Sequence, residues 1–63
     1  MEGNDMAFDK NKMRAVLVQS GGNQIAGFRE KQSGVFHAMM KINSGVDLDF
    51  FMETYNLTVV NIE

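Results

Sequence analysis

The side chains that could perform acid–base or nucleophilic chemistry are few in this chain and do not form a recognised catalytic set. The 63 residues contain one histidine, His37, and no cysteine, so a Cys-His pair is excluded. A Ser-His-Asp set would need His37 beside one of the three serines, yet no nucleophile motif surrounds any of them. We therefore predict no catalytic residues and no enzymatic activity.

Two further features could bind a ligand, and neither carries the pattern that such a site requires. Asp47, Asp49 and Glu53 follow one another at short spacing. On a helix only Asp49 and Glu53 share a face, and the glycine turn of a calcium loop is missing. The turn Ser-Gly-Gly-Asn at residues 20–23 follows a strand, but it lacks the Gly-Lys-Ser/Thr ending and the helix of a phosphate-binding loop. We therefore predict no metal site and no cofactor.

The composition points to one small domain that folds without covalent or metal links. The chain has no cysteine and no proline, and its 44% hydrophobic and 22% charged residues are ordinary for a folded domain. Residues 1–9 show no periodicity and are predicted to form a flexible arm, which leaves residues 10–63 as a single α+β domain. No stretch approaches the roughly 18 apolar residues of a membrane span. Because residues 1–12 also lack the apolar part of an export signal, we expect a cytoplasmic protein with no membrane partner.

Three Ser-Gly pairs divide the chain at intervals typical of short strands joined by turns. The pairs begin at residues 20, 33 and 44. Gly27, between the first two pairs, predicts a β-bulge or the close approach of another backbone. The predicted elements are strands at residues 12–19, 24–31 and 35–42, a helix at 46–55 and a last strand at 57–62.

The first hairpin can form with a turn of two or of three residues, and charge favours the longer turn. A two-residue turn would place Arg14 directly opposite Arg29, and like charges in that position destabilise a strand pair. A three-residue turn at residues 21–23 instead pairs Arg14 with Glu30. We therefore predict the three-residue turn.

Residues 35–42 are ambiguous, because their composition suits a helix and their alternation suits a strand. The alanine and the methionines of the segment favour a helix, which would give the order ββααβ. A second three-residue turn, at residues 32–34, would set Phe28 against Ala38. Both turns then place apolar residues on one face of a sheet, and this agreement favours a strand. The predicted core face consists of Val16, Val18, Ala26, Phe28, Phe36, Ala38, Met40 and Ile42.

Residues 46–55 carry the clearest helical pattern of the chain. Ser44 and Asp47 predict an N-terminal capping box, and Asn56 predicts a C-terminal cap in the left-handed region. The order of elements predicts an α+β fold, βββαβ. Its antiparallel three-stranded meander is covered by one helix, and its C-terminal strand lies beside the first strand. The apolar stripe of the helix consists of Leu48, Phe51, Met52 and Tyr55.

Two surfaces of the predicted fold are candidates for protein binding. The sheet face turned away from the helix would present apolar residues surrounded by basic ones, which is typical of an interaction surface. On the helix, at about 100° per residue, two apolar side chains fall opposite the apolar stripe. The predicted protein-interface residues are Met13, Leu17, Ile25, Arg29, Val35, His37 and Met39 near the sheet, with Val46 and Phe50 on the helix.

The charges of the chain are segregated along the sequence. The net charge is −3 in residues 1–9, +5 in residues 10–41 and −4 beyond them, which gives −2 overall. A basic sheet face predicts nucleic-acid binding as the alternative function. The pI near 5.2 and the lack of aromatic stacking residues on that face weigh against it. The candidate nucleic-acid contacts are Lys12, Arg14, Arg29, Lys31 and Lys41.

These features together favour a non-enzymatic protein-binding module, a small regulator or inhibitor that acts by occupying the surface of a partner protein. A single thin core without disulfide or metal supplies only a few kcal/mol of stability, roughly 3–5 kcal/mol at most. We therefore expect a homo-oligomer, in which a second chain adds to the core. In size and topology the chain resembles phage or mobile-element products that block host enzymes, although no motif carries that comparison.

Overall fold

The computed structural model describes residues 9–63, and within them the chain forms the α+β fold that the sequence predicts. Residues 36–42 form a strand, so the ββααβ alternative is wrong. The predicted arm lies, apart from Asp9, outside the described residues. The elements in chain order are β1 (Met13–Ser20), β2 (Asn23–Glu30), β3 (Phe36–Ile42), α1 (Gly45–Thr54) and β4 (Asn61–Ile62).

The strands form one sheet in the order β3-β2-β1-β4. β4 runs parallel to β1 and pairs its Asn61 with Val16, so the last strand lies beside the first as predicted. β4 has only two residues, although the sequence predicts a strand at 57–62. The strand is short because Leu57 and Val60 turn into the core instead of alternating along the edge of β1.

The predicted turn of the first hairpin is wrong. Ser20 pairs with Asn23, which leaves only two glycines between them as the turn. Gly21 and Gly22 have φ angles of 58° and 82°. A two-residue type I′ turn requires positive φ at both positions, and glycine adopts it without strain. Turn geometry therefore outweighs the like-charge repulsion across the hairpin that favoured the longer turn.

The difference of one residue in register moves every side chain of β1 to the other face of the sheet. Ala15 and Leu17 point toward α1 and are buried in the core. Val16 and Val18, predicted for the core face, lie on the face turned away from α1, which we call the outer face. Met13 packs against the core, so neither Met13 nor Leu17 lies on the outer face where the sequence analysis places them. The buried core consists of Ala15, Leu17, Ala26, Phe28, Ile42 and Phe51.

β2 and β3 change register at Gly27, where the sequence predicts a bulge or a close backbone approach, and both are present. A methyl group at position 27 would overlap the carbonyl oxygen of His37 and would lie 2.9 Å from the Phe36 ring. The bulge also alters the pairing, because Phe28 lies opposite His37 and not opposite Ala38 as predicted. Phe36 and Ala38 consequently lie on the outer face and not on the core face.

Three aromatic rings attach α1 to the sheet. Phe51 is fully buried, and its ring centroid lies 5.5 Å from that of Phe28. Tyr55 packs 5.0 Å from Phe28 and 5.3 Å from Phe51. Leu48 also packs against the core, whereas Met52 is half-buried outside that cluster. The predicted apolar stripe is therefore the side of α1 that faces the sheet.

The two ends of α1 differ in how well the sequence predicts them. Ser44 is the N-cap residue, but its side chain makes no capping hydrogen bond, so the predicted capping box is wrong. The Asp47 carboxylate instead accepts a 2.8 Å hydrogen bond from the backbone N–H of Asn43. At the other end Asn56 has a φ of 55°, as predicted. The N–H groups of Asn56 and the next residue donate back into the last helical turn, which forms a Schellman motif.

Candidate interaction surfaces

Exposed apolar side chains lie on α1 and on β3, the edge strand of the sheet that α1 contacts. Val46 and Phe50 are one helical turn apart on the side of α1 away from the core, and they are 75% and 63% exposed. Val35, just before β3, and Met39, at the bulge of β3, are also exposed. Within residues 9–63 no strand pairs with the free side of β3. We call these four side chains the β3–α1 surface, and all four are interface residues predicted from the sequence.

Arg29 is the centre of the outer face, and its guanidinium is held by three different groups. Its Nε and Nη2 atoms donate hydrogen bonds of 2.6 to 3.1 Å to the Glu63 carboxylate. Its Nη1 atom donates to the carbonyl oxygen of Gly34 at 2.7 Å, and the guanidinium lies 5.4 Å from the ring centroid of Phe36. The hydrogen bonds from Arg29, helped by its charge and then by that of Arg14, hold the pKa of Glu63 below its ordinary value. Glu63 in turn raises the pKa of Arg29.

The ion pair between Arg29 and Glu63 passes over the outer side of β1. Arg29 belongs to β2 and Glu63 directly follows β4, and β1 lies between these two strands. The pair thus crosses the face on which Val16 is completely buried. It also brings a carboxylate near Arg14, which lies directly opposite Arg29. Glu63 therefore offsets the like-charge pair that counted against this register.

Sequence reasoning missed Glu63, although a signal for it was present. If the last strand lies beside β1, the residue that directly follows it must lie at the same edge of the sheet. Glu63 occupies that position, and its backbone N–H donates to the carbonyl oxygen of Leu17 at 3.0 Å. The strand predicted at residues 57–62 ends directly before Glu63, so its position beside β1 also predicts that of Glu63.

The basic residues predicted for nucleic-acid binding lie on the outer face or at its end. Arg14 and Arg29 face each other there, and Lys41 lies opposite the half-buried Ile25. Lys12 and Lys31 meet where the β1–β2 pairing ends, since the Lys31 N–H donates to the Lys12 carbonyl. The observed register places Arg14 on the same face as Arg29 and Lys41. Two of the five are already engaged, because Arg29 binds Glu63 and the Lys31 ammonium donates to the carbonyl of Lys10 at 2.9 Å.

His37, predicted as an interface residue of the sheet face turned away from α1, does not lie on that face, because it pairs with Phe28 and shares the face of Phe28. Its Nε2 atom lies 2.6 Å from Oε2 of Glu30, and the Ser33 hydroxyl donates to the other oxygen of that carboxylate. The Ser33 hydroxyl, and after it His37, lower the pKa of Glu30. Since both groups converge on a carboxylate, the hydroxyl is not hydrogen-bonded to the imidazole as it would be in a nucleophile–base pair.

Metal ligands do not converge anywhere in the part of the chain that the structure describes, where no three His, Asp or Glu side chains come together. The helix described within residues 9–63 is not long and apolar enough to cross a membrane. Comparisons with protein-family models, with curated proteins and with solved structures give no match to this chain.

Proposed function

We propose that the chain is a non-enzymatic protein-binding module, a small regulator that acts by occupying the surface of a partner protein and that works as a homo-oligomer. The observation that carries this proposal is the exposure of Val46 and Phe50 on the outer side of α1. A helix needs only one apolar side for packing in its own domain, and α1 already uses Phe51 and Tyr55 for that purpose. The second apolar side is available to another chain.

The energetics of Phe50 support an interface role. Burying a phenylalanine side chain contributes roughly 1.5–3 kcal/mol, and large aromatic residues dominate binding energy where they fill a pocket of the partner. Phe50 leaves most of that contribution unused in the isolated chain because it is 63% exposed. Met39, at the bulge of β3, adds a second exposed side chain that is flexible and adapts to differently shaped partners.

The free side of β3 supports self-association. β3 has seven residues and, among the residues that the structure describes, no neighbour on one side. Unpaired N–H and C=O groups of an edge strand are a template for pairing with another chain. A second copy paired at this edge would continue the sheet and would bring the exposed helix residues of both copies toward the same interface.

Substitution of the β3–α1 surface tests the proposal. Phe50→Asp and Met39→Asp should leave the far-UV circular dichroism spectrum unchanged, because neither side chain belongs to the buried core. Each should weaken self-association or partner capture at least about tenfold, since a carboxylate would enter an apolar contact. Light scattering across a concentration series measures the mass, and affinity capture from a lysate measures partner binding.

Val59→Asp is the matched control, because Val59 is as exposed as Phe50 but precedes β4 at the opposite edge of the sheet. This variant should assemble and capture partners like the parent chain. If Phe50→Asp and Met39→Asp also assemble and capture normally, the β3–α1 surface is not the interface and the proposal is abandoned.

Nucleic-acid binding by the outer face is the second candidate function, and the gathering of Lys12, Arg14 and Lys41 on that side favours it. Two observations oppose it: Arg29 is occupied by Glu63, and the ring of Phe36 lies under that guanidinium and not open for base stacking. Binding to a short duplex should weaken strongly between low and high salt if phosphates are contacted. Undetectable binding at low salt excludes this function.

A further inference from the structure

A second region of the molecule, far from the β3–α1 surface, contains a cavity of about 470 Å³. It opens at the side of β1 that β4 leaves uncovered, because β4 pairs with β1 only from Val16 onward. The segment 56–59, which joins α1 to β4, forms the other wall. The volume lies within the range of about 300–1,000 Å³ that is typical of small-molecule sites.

Among residues 9–63, the charged residues that line this cavity are all cationic. They are Lys10, Arg14 and Lys31, and no aspartate or glutamate of this range lines it. Neutral hydrogen-bonding side chains complete the polar part of the wall, namely Asn56, Thr58 and Asn61. The remaining wall is apolar and is formed by Met13, Ala15, Leu57 and Val59.

Within the described residues, the cavity carries an excess of positive charge. The Arg14 side chain makes no hydrogen bond or ion pair with another residue of 9–63. The Glu63 carboxylate, whose pKa the charge of Arg14 helps to lower, is hydrogen-bonded to Arg29. The Lys31 ammonium is held at the Lys10 carbonyl, which fixes its position at the wall. Glu63 offsets the charge of Arg14 only in part, because its single negative charge is shared with Arg29. The three cations of the cavity therefore still repel one another, and an anion placed among them would relieve this repulsion.

The C-terminus of α1 lies next to the cavity, and the negative end of a helix dipole would oppose an anion. Here the carbonyl groups of Met52 and Glu53 accept hydrogen bonds from the N–H groups of Leu57 and Asn56. The Schellman motif therefore occupies those carbonyls, so that they do not present free acceptors to the cavity.

We propose that this cavity binds the phosphate group of a small phosphorylated molecule. Arg14 offers the planar guanidinium that pairs with two phosphate oxygens at once, and the two ammonium groups supply the remaining charge for a dianion. The Thr58 hydroxyl and the side-chain amides of the wall provide neutral donors. The apolar wall beside the cations suits the organic part of such a molecule, which distinguishes this site from one for phosphate alone.

The test measures binding of adenosine monophosphate and of inorganic phosphate to the full chain by chemical-shift perturbation at low ionic strength. Saturable shifts should appear at residues 10–15 and 56–61, with adenosine monophosphate binding more tightly than phosphate because it also contacts the apolar wall. Arg14→Gln and, as a second variant, Lys31→Gln should each weaken binding by about tenfold or more, the effect of losing one charge-assisted contact.

Lys41→Gln is the matched control, since it removes the same charge from a position on β3 that does not line the cavity. It should change the affinity by no more than about twofold, through general electrostatics alone. Equal losses in Arg14→Gln and Lys41→Gln, or shifts that never saturate, would overturn the proposal. A short duplex that shifts the same residues when neither small ligand does would also overturn it and would assign the site to nucleic-acid phosphate.

Discussion

The two faces of the sheet are stabilised by different physical effects. On the helix side the aromatic rings of Phe28, Phe51 and Tyr55 exclude water from a small apolar core. On the outer side no helix covers the sheet within residues 9–63, and Arg29 bridges from β2 across β1 to Glu63. Apolar side chains do not titrate, whereas a solvent-accessible ion pair titrates and is screened by salt.

This contrast shows how a very small chain uses different residues on the two faces of its sheet. Most of its buried side chains belong to the helix side. On the outer side the ion pair between Arg29 and Glu63 adds to the hydrogen bonds between the strands, and other cations stay available to ligands. The exposed apolar residues at the edge of β3 belong to neither arrangement. The expected effects of substitutions should therefore decrease from the helix side to the outer side.

Phe51→Ala should produce the largest loss, because Phe51 is the one helix residue that is completely buried. Removing a buried phenylalanine side chain lowers the free energy of unfolding by about 3–5 kcal/mol. A core of this size supplies about that much in total, so the variant should be largely unfolded at 25 °C. Urea denaturation followed by far-UV circular dichroism measures the effect.

Phe50→Ala is the control for Phe51→Ala, since it removes the same side chain from the neighbouring position, which is mostly exposed. At a concentration where the parent chain is monomeric, the free energy of unfolding of Phe50→Ala should stay within about 0.5 kcal/mol of the parent chain, because an interface contributes nothing there. Similar losses in the two variants would mean that the helix side is not the main source of stability.

Gly27→Ala should give the next largest effect, and it acts at the close contact between β2 and β3. The added methyl group would overlap the carbonyl oxygen of His37 and press on the Phe36 ring. Overpacking of this kind lowers the free energy of unfolding by about 1–3 kcal/mol. Gly45→Ala is the control, because nothing lies within 4 Å of its added Cβ. If Gly27→Ala is as stable as Gly45→Ala, the backbone at the bulge can shift to accommodate the methyl group without loss of stability.

The sequence predicts the order of the elements well and the faces of the strands poorly, and β1 shows why. Its central residues, Ala15 to Val18, are all apolar, so either face could form the core. The predicted register of β1 with β2 therefore rests on one charge pair, which contributes a few tenths of a kcal/mol to about 1 kcal/mol. The two glycines of the turn carry the stronger preference, since positive φ at both positions suits a two-residue hairpin turn.

The residues of the candidate surfaces also differ in how well the sequence predicts their positions. Val46 and Phe50 could be placed on the exposed side of α1 from helical periodicity alone, because that pattern depends only on neighbours in sequence. Met13 and Leu17 could not be placed correctly, because their orientation depends on the register of β1 with β2. Glu63 and the cavity beside Arg14 depend on the pairing of β4 with β1, which joins residues far apart in the chain.

Glu63→Gln should give the smallest effect at neutral pH and the clearest dependence on pH. Because Arg29 lowers the pKa of Glu63 in the folded chain below its ordinary value of 4.5, the unfolded chain binds more protons in that range. The contribution of the ion pair is therefore complete above about pH 4.5 and is lost as the pH falls through the folded pKa. As the pH is lowered through this range, the urea midpoint of the parent chain should fall. The midpoint of Glu63→Gln should fall less, because the glutamine side chain does not titrate.

The control for this titration is Glu53→Gln, since the Glu53 side chain forms no ion pair within residues 9–63. Glu30 also has a lowered pKa, so part of the acid-induced loss should persist in Glu63→Gln. The difference between the midpoints of Glu63→Gln and Glu53→Gln at pH 7 isolates the ion pair that crosses β1. If the two variants match at every pH, the outer face is not stabilised by this pair, and the contrast between the two faces reduces to burial alone.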